Sequence, residues 1–159
     1  MSEAKESSGV KAWQYALKRL AMKGYHSAEL AAKMEEAGFS AEEVEGALTR
    51  CREAGYLNDA EWVARSAERL SARTKGPLAI RQALMAKGVE ASEVEAVVEG
   101  LDEEELVEKI VQLLEKRWGV EGLVDFKVRQ KAIAFLMRRG FTFDLIQRGF
   151  ALIKNLSSK

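Results

Sequence analysis

The sequence predicts an all-α protein built from three tandem three-helix repeats. Three observations carry that expectation. A glycine punctuates helical segments at Gly38, Gly88 and Gly140, at spacings of 50 and 52 residues. Apolar residues line up in columns around it. One residue after the glycine stand Phe39, Val89 and Phe141, and four before it Met34, Leu84 and Leu136. Val44, Val94 and Ile146 follow by six, Leu48, Val98 and Phe150 by ten, while Leu30, Ile80 and Ala132 precede by eight. Matched columns at a fixed period are the signature of a repeat architecture. Third, the chain has one proline and no sustained alternation of β-branched and polar residues, so helix is favoured and sheet is not. Stacked repeats predict an elongated, gently curved module of about nine helices.

Each element has a local reason. Residues 1–9, MSEAKESSG, carry no apolar signal core and read as a short disordered tail. Repeat 1 spans 10–55. Its first helix shows Trp13, Ala16, Leu17 and Leu20 on one face and ends at Gly24. Ser27 is the expected cap of the next helix, and Ser40 with Glu43 forms a capping box for the third, which ends at Gly55. Repeat 2 spans 56–101. Asn58 or Asp59 caps a helix bearing Val63, Ser66, Ala67 and Leu70, Gly76-Pro77 opens the next, and Ser92 with Glu95 reads as another capping box. Repeat 3 spans 102–159. Asp102 and three glutamates suit the positive end of a helix with an inner face of Leu106, Ile110, Leu113 and Leu114. Asp125 and Thr142 cap the last two helices, the final one carrying Leu145, Ile146, Phe150 and Ile153.

A 159-residue chain that is 47% apolar has material for a core, but a unit of about 50 residues is marginal alone and needs its neighbours. The 25 acidic and 25 basic residues cancel, yet they are not mixed. Glu90–Glu108 holds nine acids and no base, Glu61–Lys87 six bases and two acids, and Lys127–Lys159 eight bases and one acid. Such blocks make a dipolar surface suited to steering a partner. Cys51, the single cysteine, allows no internal disulfide and sits at core spacing with Val44 and Leu48. No apolar run reaches the length of a membrane span.

Catalytic and metal chemistry find little to work with. His26 is the one histidine and reads as a surface residue beside a turn. One histidine and one cysteine build neither a zinc site nor a nucleophilic triad, and no phosphate-binding glycine loop is present. The expectation is a non-enzyme with no cofactor and no metal. What remains is a set of basic faces. Arg65, Arg69 and Arg73 recur every four residues, with Lys75 and Arg81 nearby. Lys127, Arg129, Lys131, Arg138 and Arg139 lie on the middle helix of repeat 3 and at its end, and Arg148 on the last helix. Arginine grips carboxylate and phosphate alike, so these residues are candidates for contact with an acidic protein surface or with nucleic acid. A direct DNA-binding module of helix-turn-helix type is the alternative reading, since three helices in about 50 residues match that size.

Local motifs add a resemblance. The stretch Gly55-Tyr56-Leu57-Asn58-Asp59 is followed by Trp62 and Ala64, an arginine-rich helix, and then Gly76, Ile80, Leu84, Lys87 and Gly88 in the pattern GxxxIxxxLxxKG. In this order they resemble the RecX family of bacterial regulatory proteins over nearly the whole chain after the tail. Trp62-Val63 departs slightly from the phenylalanine-alanine pair more usual there. The resemblance implies three three-helix repeats. It implies binding to the RecA recombinase and its filaments on single-stranded DNA, limiting filament growth, strand exchange, ATP hydrolysis and the co-protease activity behind the SOS response. It also implies a weak DNA contact. The single cysteine fits a reducing cytosol, so a cytoplasmic protein is expected, with no membrane partner and as a monomer. No catalytic residue comes with it. Residues 55–59 are expected to form a turn, an apolar plug and a cap between repeats rather than a contact surface.

Overall fold

The computed structural model describes the backbone of residues 2–157, with side chains over 7–154. Every regular element among them is helical. In order these are α1 (Ser2–Met22), α2 (Ser27–Glu36), α3 (Ala41–Glu53), α4 (Asp59–Ala72), α5 (Pro77–Ala86), α6 (Ala91–Glu99), α7 (Glu103–Arg117), α8 (Gly119–Gly122), α9 (Phe126–Arg138) and α10 (Phe143–Ser157).

The threefold pattern is visible in backbone geometry. Gly38, Gly88 and Gly140 all adopt positive φ, at 99°, 86° and 92°. At each, the next residue's N–H donates back to the carbonyl five residues earlier: Phe39 to Met34, Val89 to Leu84, Phe141 to Leu136, at 3.1, 3.2 and 3.1 Å. The glycine N–H itself donates to Glu35, Met85 and Met137, each at 3.0 Å. This is one helix-ending motif shared by the three repeat glycines, and Gly55 uses it again at φ 81°, its N–H donating to Arg52 and the Tyr56 N–H to Cys51. The carbonyl donated to belongs to a core residue, since Met34, Leu84 and Leu136 are buried, as are Leu30, Ile80 and Ala132 one turn earlier. The α4 terminus uses the same bonds without glycine. Lys75 N–H donates to Leu70 and Thr74 N–H to Ser71, which puts Thr74 at φ 59°, a strained position for a β-branched residue.

The chain packs as two compact units, Met1–Ser66 with Leu84–Ala91, and Ala67–Ala83 with Ser92–Lys159. In the first, α1 packs chiefly on α3, and Ala12, Ala16, Leu30, Met34, Val44, Leu48 and Cys51 form its core. In the second, α7 packs chiefly on α10 around Leu106, Ile110, Leu114, Leu136, Phe141 and Ile146. Burial pushes the Cys51 thiol up, as its core spacing implies.

Several local expectations change. The segment expected to be a disordered tail is helical from Ser2, because its Glu, Ala and Lys residues are good helix formers continuous with α1. There are ten helices among the described residues rather than about nine, the addition being the single turn α8, which opens at Gly119 with φ 73°. His26 is buried, and its imidazole caps α2 by accepting from Ala28 N–H at 3.1 Å. Ser27, the expected cap, is the first helical residue and donates its hydroxyl to Asp59 instead. Ser92 lies inside α6, so no capping box forms there, and Glu95 turns to Arg81. The caps at Ser40, Asp125 and Thr142 form as read, and Asp102, read only as one of the acids at the start of α7, is its N-cap.

Candidate functional site

The motif residues 55–59 build a junction inside the first unit. Gly55 closes α3 at φ 81°. Tyr56 sets its ring 6.3 Å from Trp13, Leu57 is buried in the core, and Asn58 caps α4 by accepting from Glu61 N–H at 3.1 Å. Asp59 accepts from Ser27 N–H at 2.7 Å and from the Ser27 hydroxyl, and lies 3.7 Å from His26 Nε2. One carboxylate thereby ties the start of α4 to the start of α2. Trp62 places its ring edge-on to His26, with centroids 5.6 Å apart. Lys87 reaches Glu29 at 3.0 Å, and Glu29 also holds Lys23 at 3.5 Å. Leu57 is the buried member of the 55–59 stretch, while Tyr56 remains 59% exposed and Gly55 and Asn58 are exposed beside it.

The second unit contains a clasp between the α4–α5 loop and the α9–α10 turn. Gly76 N–H donates to the Arg139 carbonyl at 2.7 Å, and Leu78 N–H to the Gly140 carbonyl at 2.9 Å. A Cβ added at Gly76 would fall on the Gly140 carbonyl and Phe141 nitrogen, and one at Gly140 would fall on Ala79. Only glycine at both positions lets the two backbones meet so closely.

The predicted basic residues sort into two groups. Some are occupied. Arg81 binds Glu95 through two bonds of 2.7 and 3.2 Å, joining α5 to α6. Arg148 binds Glu103 at 2.7 Å and Glu104 at 3.0 Å, joining α10 to α7, and these bonds push its guanidinium further up. Arg139 lies 5.0 Å from the centroid of the Phe135 ring, with its Nε buried. Arg65 pairs with Glu61 at 2.6 Å on an exposed turn, a pair of little energetic weight. Arg65 and Arg69 lie on α4, but Arg73 stands one residue past its end, and Lys75 enters the loop toward the clasp. Arg65, Arg69 and Arg73 are exposed, as are Lys127, Arg129, Lys131 and Arg138 on α9.

Around Arg129 the structure shows what residue spacing alone does not. Two adjoining hollows, of about 390 and 540 Å³, run along α8, α9 and α10. Phe126, Gln130, Ile133, Phe143, Ile146 and Gln147 line the first, while Leu123, Val124, Ile153 and Lys154 are among those lining the second. Arg129 and Phe150 line both. Phe126 is 66% exposed, Phe143 54% and Val124 78%. The sequence does hold a signal. Phe126, Arg129, Gln130, Ile133 and Phe143, Ile146, Gln147, Phe150 share the spacing i, i+3, i+4, i+7. The α9 set is half polar and the α10 set carries Gln147, so the signal is a mixed stripe, and periodicity does not say whether its apolar members are buried or exposed.

A family model described as RecX, third three-helix domain, matches residues 103–149. The Regulatory protein RecX of Legionella pneumophila (strain Corby) is 30% identical over 145 residues, 91% of this chain and 96% of its own. That of Thermus thermophilus is 38% identical over 144 residues, covering 91% and 93%. That of Deinococcus radiodurans is 39% identical over 132 residues, 83% of this chain and 63% of its own. Among solved structures, RecX from Lactobacillus salivarius superposes with a TM-score of 0.85 at 19% identity, over 94% of this chain and 98% of that one. Another crystal structure of regulatory protein RecX gives 0.77 at 22%, over 96% and 74%. With helix triplets whose middle helix ends in one repeated turn and relatives matched nearly end to end, the chain belongs to the RecX family of regulatory proteins.

Proposed function

We propose that this protein binds the RecA recombinase and its filaments on single-stranded DNA, and that it acts there as a cytoplasmic, non-catalytic regulator. It restrains filament growth and with it strand exchange, ATP hydrolysis and co-protease activity. Family membership is the observation that carries the reading. The exposed bases of α9 support it, since they present charge to a large acidic or phosphate-bearing surface without a catalytic constellation beside them. Several modest contacts along a polymer give avidity that one patch lacks. We keep 10–55, 56–101 and 102–159 as the proposed repeat limits. The test is the DNA-dependent ATPase of pre-formed RecA filaments during titration with this protein. Progressive inhibition is expected, and a flat response at every ratio would count decisively against the proposal.

The exposed row on α9 also favours a second reading, direct binding to DNA phosphates. It predicts tight binding without RecA and an affinity that falls steeply with salt. Negligible binding near physiological salt leaves the protein partner as the target.

A further inference from the structure

We propose that the two-hollow groove along α8, α9 and α10 is a docking site for an acidic amphipathic helix of a protein partner. The proposal rests on the RecA reading in one respect only: it takes that helix to be one displayed by RecA within the filament.

The groove has the chemistry for such an occupant. Its floor is aliphatic and aromatic, from Leu123, Ile133, Ile146, Phe150 and Ile153. Phe126, Phe143 and Val124 stand exposed at its edges, where a folded chain that needed them only for its own core would bury them. Two adjoining hollows suit two apolar anchors about one or two helical turns apart, the usual arrangement for a helix laid in a groove. Charge selects the sign of the partner. Lys127, Arg129, Lys131 and Arg138 stand exposed on α9, while Arg148 on α10 is already held by Glu103 and Glu104. Arg129 sits where the hollows meet, and no carboxylate pairs with it among the described residues. Lys154 flanks the second hollow. A nucleobase fits less well. Its polar edges would meet hydrogen-bonding side chains only at Arg129, Gln130 and Gln147 in the first hollow, around a floor that is otherwise apolar; Glu121 at the second hollow opposes any anion, so the acidic face of the helix lies toward Arg129.

The buried Cys51 makes a selective crosslinking test practical, because an introduced surface thiol is the one that reacts. The full chain bearing Glu121→Cys, labelled with benzophenone maleimide, is irradiated on RecA filaments assembled on single-stranded DNA. The expected product joins this chain to a RecA segment that is helical, amphipathic and net acidic. Crosslinks confined to DNA, or to a second copy of this chain, overturn the proposal. So does the absence of any crosslink from filaments that retain the labelled protein. In parallel, Phe126→Ser with Phe143→Ser should weaken filament co-sedimentation at least tenfold while leaving the helical circular dichroism unchanged, and Arg129→Glu should weaken it several-fold. Undiminished binding by both variants overturns the groove. If the wild-type chain does not co-sediment with filaments at all, the RecA reading fails and the groove proposal falls with it. Co-sedimentation without a groove crosslink sinks the groove alone.

Discussion

Asp59 serves three neighbours with one carboxylate, accepting from the Ser27 backbone and hydroxyl and facing His26. Replacing it strands two donors at a part-buried site, so Asp59→Ala should cost about 1–3 kcal/mol. Asp59→Asn, which keeps an acceptor, should cost less. Urea denaturation of the three proteins decides this, and equal stability would show the junction to be idle. Cys51 tests burial at the same scale. Its thiol is pushed up by desolvation, so the folded chain holds that proton more tightly than the unfolded chain. The resulting stability is present below the ordinary thiol range and is lost as pH rises through the higher native value. Iodoacetamide should therefore label Cys51 slowly in the native protein and rapidly in denaturant, and Cys51→Ala should flatten the alkaline fall in stability. Rapid native labelling would contradict the core assignment.

At the level of elements, the repeated turn separates two roles of glycine. Gly38 needs only its positive φ, since a Cβ there meets nothing within 4 Å. Gly140 needs the same φ and also lies against Ala79. Gly38→Ala should cost about 1–2 kcal/mol for the left-handed conformation. Gly140→Ala should cost at least about 1 kcal/mol more, because the overfilled clasp must open. Melting curves that rank the two the other way would remove the clasp from the account. Leu84 belongs to the buried column of the middle triplet, so Leu84→Ala should destabilise by about 2–5 kcal/mol. A loss below about 1 kcal/mol in denaturant titration would show that the α5 site refills or is not core. The columns flanking the glycines are legible because helical periodicity and a C-terminal glycine act within one or two turns. The roles of His26 and Ser27 are not, for the opposite reason. They depend on Asp59, 32 residues beyond Ser27 in the chain.

For the whole molecule, the basic residues divide by what tertiary packing does to them. Reversing Arg65, Arg69 and Arg73 together to Glu should leave helical content and melting nearly unchanged but weaken inhibition of filament ATPase. Unfolding of that triple variant would make the row part of a structural network instead. The repeats, the helix-ending turns, the buried columns and the absence of sheet among the described residues were determined by sequence alone, since each follows from spacing and backbone preference over short distances. Tertiary structure decided which charges are spent. Arg81 and Arg148 look in sequence like Arg129, yet a carboxylate from another helix stands beside each of them and, among the described residues, none beside Arg129. It also decided which apolar stripe stays uncovered. Phe126 and Phe143 have the spacing of core residues, and only the placement of α8, α9 and α10 leaves them facing solvent, because exposure depends on what packs opposite and no helix carries that information in its own residues.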